Sequence, residues 1–190
     1  MKDFILLFVG ASGSGKSTIA DLCCDRFGLT QVESYTTRER RCEEERGHTF
    51  VGVEAFLKLK HVIASTFYNG NYYGATQEQI DNADIYIVDP KGLDSFFDNY
   101  EGDKRVGVVY FDIPELERFK RMLIRGDTPA EAEERVTNDR VAFATVEESV
   151  MNYLNVLIIR DEDEETTLNL IEHFLLEVAS EQNNPDWRAW

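Results

Sequence analysis

The chain has 190 residues, 43% of them hydrophobic, which is enough for one well-packed α/β domain. Its 36 acidic against 20 basic residues leave a formal charge of −16, a balance that argues against a long contact with nucleic acid or an anionic membrane. No apolar stretch reaches transmembrane length, the apolar N-terminal run has no cleavage site, and three cysteines make no disulfide framework; a cytoplasmic protein with reduced thiols is expected.

Phe4 to Val9 is a continuous apolar run, suited to a strand buried on both faces. It leads into Gly10-Ala-Ser-Gly-Ser-Gly-Lys-Ser-Thr18, which fits G-x-x-x-x-G-K-[ST] at every fixed position. Helix from near Lys16 to Phe27 follows, with Gly28 as its stop. Strand, phosphate loop and helix in that order are the context the motif requires. Gly10, Gly13 and Gly15 allow backbone N–H groups to approach phosphate oxygens, with Ser12 and Ser14 between them. Lys16 supplies a charge to the terminal phosphates, Ser17 is the expected Mg²⁺ ligand, and Thr18 completes the loop. A nucleoside triphosphate site with ATP and Mg²⁺ is the expectation.

Thr30 to Glu33 reads as a second strand, and the polar Ser34 to Arg41 segment follows. If that segment brings Arg38 and Arg41 together, their guanidinium forks match phosphate oxygens. Glu54 to Lys60 is a short helix. In the aromatic stretch Phe67 to Gly74, Asn69-Gly70 signals a hairpin. Helix over Gln77–Ala83 leads to an apolar strand within Asp84–Pro90, which carries Asp89 where open α/β sheets bind ligands. Lys91 to Phe97 resumes helix, and Arg105 to Asp112 is strand. Pro114 opens a helix that Gly126 ends, and Thr128-Pro129 opens a charged helical segment to Phe143. Asn155 to Ile159 is the last strand. The acidic run Asp161–Glu165 precedes a helix with Leu168, Ile171, Phe174, Leu175 and Val178 inward; the tail 181–190 carries Trp187 and Trp190.

Alternating strands and helices imply an α/β fold of the P-loop NTPase kind, a doubly wound parallel five-stranded sheet. Residues 34–83 and roughly 126–144 interrupt the alternation, as inserts that carry substrate binding or closure do.

Over nearly all of residues 4–178 the sequence resembles the guanylate kinases. The resemblance rests on the phosphate loop, Ser34-Tyr-Thr-Thr-Arg38-x-x-Arg41, Gly70-Asn-Tyr-Tyr-Gly74, and Arg121 with Arg125-Gly126. It implies a kinase core (1–33, 84–125 and 145–180), a nucleoside-monophosphate-binding insert at 34–83 and a lid at 126–144. By the same resemblance, Arg38, Arg41 and Tyr73 hold the acceptor phosphate, and Ser34 and Asp89 contact its base. Arg121, Arg125 and Arg135 neutralise the phosphates during transfer. The implied reaction moves the γ-phosphoryl of Mg·ATP to a nucleoside monophosphate, in a monomer or homodimer.

Several positions depart from the family pattern. Ala64 stands where the family has a glutamate that reads the guanine edge, and Ala75 where it has a hydroxyl. His48 replaces a phosphate-binding tyrosine, Ile87 an acidic residue, and Arg160 an asparagine near the donor base. An altered or loosely read base follows, with Asn69, Asn71 and Thr76 as candidate substitutes for the lost contacts. Two alternatives remain at this level: a kinase of a sugar phosphate, and a non-catalytic module that binds phosphopeptides through the same arginines.

Overall fold

The computed structural model describes residues 3–40, 43, 47–68, 70–151, 153 and 155–180. Strand β1 (Phe4–Gly10) is buried along its whole length, because both of its faces are covered. Phe4, Leu6 and Phe8 pack with Ile19, Ala20 and Cys23 of helix α1 (Lys16–Phe27). The same cluster holds Ile171 and Phe174, from the last helix. On the other face Ile5, Leu7 and Val9 join Leu93 and Phe96. The period of two thus assigns alternate side chains to two separate cores. Each large apolar side chain buried in them contributes about 1.5–3 kcal/mol.

Past α1 the chain enters a second sheet. It contains β2 (Ser34–Thr36), β3 (His48–Phe50), β4 (Val62–Tyr68) and β5 (Asn71–Thr76), in the order β3-β2-β5-β4. β2 and β3 are parallel, and the other two pairings are antiparallel. The β4–β5 hairpin turns at Gly70, whose φ of 76° suits glycine. Two short helices accompany this sheet: α2 (Val53–Phe56) and α3 (Gln77–Asp81). Thr76 and Gln79 form a reciprocal capping box at the start of α3.

The chain then returns to the first sheet as β6 (Ile85–Ile87), followed by α4 (Pro90–Asn99) and β7 (Arg105–Phe111). α5 (Glu115–Arg125), α6 (Pro129–Ala142), α7 (Val146–Val150), β8 (Val156–Ile159) and α8 (Glu164–Ser180) complete the fold. The strand order is β6-β1-β7-β8, with parallel pairing throughout. The strand expected over Thr30–Glu33 reduces to one parallel bridge, Gln31 with Ile85. Among the described residues it sits at the sheet edge with a partner on one side only, and it leaves at Ser34 for the other sheet. The sheet is therefore five chain segments wide with four regular strands.

Ser95 fastens the two sheets together. Its hydroxyl accepts from the Ser65 N–H (3.2 Å) and donates to the Ile63 carbonyl (3.2 Å), tying α4 to β4. α6 rests on α5 through a small core of Met122, Ala132, Val136 and Phe119. The residue pairs expected at element ends recur here: Gly126 closes α5 in the left-handed conformation, and Thr128 caps α6. The short helix expected to reach Lys60 ends at Phe56, and the one expected to reach Ala83 ends at Asp81. Cys23 is buried, and burial pushes its thiol up to about 12, which suits packing rather than reactivity. Cys42 and the 181–190 tail lie outside the described residues.

Candidate active site

The phosphate loop spans the end of β1 and the start of α1, so the first free N–H groups of that helix point at the loop's concavity. Gly13 and Gly15 have φ values of 77° and 87°. Gly13 also lies under α5, where a Cβ would stand 2.5 Å from the Arg118 carbonyl oxygen. No other residue type fits there. Lys16 folds its ammonium back to donate to the Ala11 carbonyl (3.2 Å).

Two cavities open on either side of this loop. The larger, about 1030 Å³, is lined by Gly13, Ser14, Gly15 and Thr18 with Arg121 and Arg125. The other, about 400 Å³, collects Gly10 with Ser34, Arg38, His48, Tyr73 and Asp89. Ser12, Lys16, Ser17 and Arg135 line both. Residues expected to serve a donor and an acceptor thus fall into separate spaces that share the loop. Arg41 lies outside the described residues.

In the smaller cavity the Ser34 hydroxyl is 3.0 Å from His48 Nδ1, and the His48 ring meets Tyr73 edge-on at 5.9 Å. The Arg38 guanidinium sits 5.5 Å from the Phe50 ring centroid. Asp89 caps α4 by accepting the Gly92 N–H (2.6 Å). Burial raises its pKa, opposed by that N–H, by the neighbouring Thr66 hydroxyl and by the charges of Lys91 and Lys16.

On the larger cavity the arginines are held by acids. Arg121 donates to Asp161 (2.6 Å) and pairs with Glu117 (3.4 Å). Arg125 grips Asp127 with two bonds (3.0 and 2.6 Å), and Arg135 Nε lies 3.3 Å from the same carboxylate. Such partly exposed pairs contribute little net stability, so exchanging a carboxylate for a phosphate costs little.

One carboxylate at the centre escapes a motif-based reading. Asp139 of α6 is 3% exposed. It accepts from the Ser12 N–H (2.8 Å), the Ser12 hydroxyl (3.3 Å), the Tyr68 hydroxyl (3.0 Å) and Arg118 Nη1 (3.3 Å). One side chain therefore links α6, the phosphate loop, β4 and α5. Its signal is a buried stripe, Ala132, Val136 and Asp139, that matches the buried Arg118 and Met122 of α5. A charge on each of two apolar helix faces implies that they meet.

The candidate substitutes for base contacts divide. Asn71 lines the smaller cavity, and Asn69 is outside the described residues. Thr76 does not serve there, because its hydroxyl is occupied in capping α3. Ala64 and Ala75 are wholly buried in the core cluster that also holds Tyr86 and Val88, and it is the latter two that line the cavity. Arg160 pairs with Asp112 (3.2 Å) and Glu147 (3.6 Å).

A divalent cation fits this loop. Ser17 lines both cavities and offers a hard hydroxyl oxygen of the kind Mg²⁺ takes alongside phosphate oxygens and water. Among the described residues no helix is long and apolar enough to cross a membrane.

The family model described as guanylate kinase matches residues 2–178. A guanylate kinase of Campylobacter jejuni is 32% identical over 176 residues, covering 85% of this chain and 83% of that protein. One from Bartonella quintana is 26% identical over 189 residues, covering 94% and 83%. Among solved structures, guanylate kinase from Anaplasma phagocytophilum superposes with a TM-score of 0.64 at 20% identity, over 99% of this chain and 93% of that one.

Proposed function

The chain belongs to the guanylate kinase family of phosphotransferases, and on that premise we propose that it moves the γ-phosphoryl group of Mg·ATP to the 5′-phosphate of GMP, dGMP or a related nucleotide. The observation that carries this reading is the pair of cavities meeting at Ser12, Lys16, Ser17 and Arg135. Two phosphorylated ligands seated there bring their phosphates to the same loop.

In the transfer, an oxygen of the acceptor phosphate bonds to the γ-phosphorus while the bond to the β–γ bridging oxygen breaks, and ADP leaves. The acceptor phosphate is largely dianionic at neutral pH, so the step needs no strong general base. What the protein supplies is position and positive charge. Arg38, Arg41 and Tyr73 hold the acceptor phosphate, His48 stands beside Tyr73, and Ser34 and Asp89 face the base. Gly10 to Thr18 bind the donor phosphates, and Lys16 follows the charge that moves. Arg121, Arg125 and Arg135 exchange their carboxylate partners for phosphate oxygens. When bound through Ser17, Mg²⁺ neutralises charge on the donor phosphates.

A phosphopeptide module would have no use for the intact donor cavity, and Ser34 and Asp89 beside Arg38 favour a nucleotide over a sugar phosphate. The test is ADP formation, followed by a coupled assay with Mg·ATP and a panel of GMP, dGMP, AMP, dAMP, UMP, dCMP, dTMP and ribose 5-phosphate. Stimulation by a nucleoside monophosphate is expected. ADP formation no faster than without acceptor would overturn the reading.

A further inference from the structure

The wall of the smaller cavity that faces α4 is made of hydroxyls more than of charges. Tyr86 is 4% exposed, lines the cavity, and among the described residues its hydroxyl makes no hydrogen bond. Burial, with Asp89 nearby, raises its pKa, so it is a neutral phenol at working pH. The Thr66 hydroxyl is likewise shielded from water and lies beside Asp89, whose ionised carboxylate it favours. Buried polar groups left without partners weaken a fold unless a ligand meets them. Tyr86 therefore offers the cavity a hydroxyl with its own bonding capacity open, and Thr66 one that it shares with Asp89.

The carboxylates available to that edge are few. Among the described lining residues only Asp89 and Asp139 carry one. Asp139 is taken up by Ser12, Tyr68 and Arg118, which leaves Asp89.

From this arrangement we infer that the cavity accepts 6-oxo and 6-amino purine monophosphates alike, with Tyr86 and Thr66 meeting the Watson–Crick edge through neutral hydroxyls. The inference rests on the kinase reading above. Guanine N1 carries a proton and donates, whereas adenine N1 accepts. A carboxylate only accepts and so tells them apart, but a hydroxyl rotates to donate or accept. The 2-amino group of guanine and the 6-amino group of adenine flank N1 on opposite sides, so Asp89 accepts from one or the other as the base shifts along the wall or turns about its glycosidic bond. A site with a fixed, buried hydrogen-bonding partner rejects the wrong ligand by 10⁴–10⁵-fold, and hydroxyls that rotate give that up.

The test uses the full chain with Mg·ATP and compares kcat/KM for GMP and AMP. The ratio is expected to lie within about tenfold of unity, far from the 10⁴–10⁵ of a fixed partner. Tyr86→Phe and Thr66→Val keep shape and remove each hydroxyl. Each is expected to lower kcat/KM about tenfold for both nucleotides, with the KM for ATP unchanged and the thermal midpoint held within a few degrees. A preference of about a hundredfold or more for either purine overturns the inference, as do folded variants that leave both efficiencies unaltered. Should Tyr86→Phe fail to fold, Thr66→Val and the unsubstituted protein's ratio decide. Failure of the kinase reading looks different: no monophosphate raises ADP formation at all.

Discussion

The two cavities are built by opposite strategies. The donor side has as its backbone one unbroken stretch, Ser12 to Ile19, where N–H groups and a helix start face the cavity, and side chains of α5, Arg135 and the 162–167 segment complete it. The acceptor side draws single side chains from β2, β3, β4, β5, β6 and α4, plus Arg135 and Asp139 of α6. A site made of backbone tolerates little change, because its geometry is that of the fold. One made of separate side chains changes ligand by changing one residue. On this account a phosphate loop with every fixed position in place can stand beside base-facing positions that are expected to depart from the family pattern.

The sharpest break in that comparison is at the shared residue. Lys16→Ala should lower kcat by about 10³-fold with little change in thermal midpoint, since the ammonium serves charge rather than packing. Retention of more than a tenth of the activity would mean that the loop does not follow the transferred group.

The link between the halves is the next largest. Asp139→Ala leaves Arg118 buried without its carboxylate, and unfolding in urea should show a loss of about 3 kcal/mol or more. Tyr68→Phe removes one hydrogen bond of the same cluster and should cost about 1 kcal/mol. If Asp139→Ala were as mild as Tyr68→Phe, the carboxylate would not be the point where the two halves join.

How much of this was legible in the chain follows the same division. Pro114, Gly126, Thr128 and the whole phosphate loop act on their own neighbours, so short-range rules place them. Asp139 lies in a run with Glu131, Glu133, Glu134, Arg135 and Arg140, where one buried acid is hidden among solvated ones. Only the spacing from Ala132 and Val136 separates it. Tyr86 reads as an ordinary strand residue and Thr66 falls between predicted elements, and the place of both in the cavity depends on two sheets meeting through α4. The strand expected at Thr30–Glu33 illustrates a further limit: its one apolar residue, Val32, is buried, but among the described residues the segment has no partner on the other side.

Protonation sharpens the contrast further. The Asp89 pKa is raised in the folded protein, so the proton is held more tightly there than in the unfolded chain. Stability therefore falls as pH rises through the raised value, and an Asp89→Asn variant should lose that slope. Activity has the opposite sign. Only the ionised carboxylate accepts from the base, so acceptor kcat/KM should fall as pH drops through the same window, with the KM for ATP unmoved. An acid limb that survives in Asp89→Asn would assign it elsewhere. The smallest effect lies at the rim: Thr128→Ala breaks the capping box that starts α6 and should cost about 1 kcal/mol.

The division into donor and acceptor sides is tested most directly by steady-state kinetics of Arg38→Ala with both substrates varied. The account predicts that the KM for the monophosphate rises by about a hundredfold, the loss of a charge-assisted phosphate contact, while the KM for ATP moves by less than about threefold. Equal shifts in the two constants would contradict it.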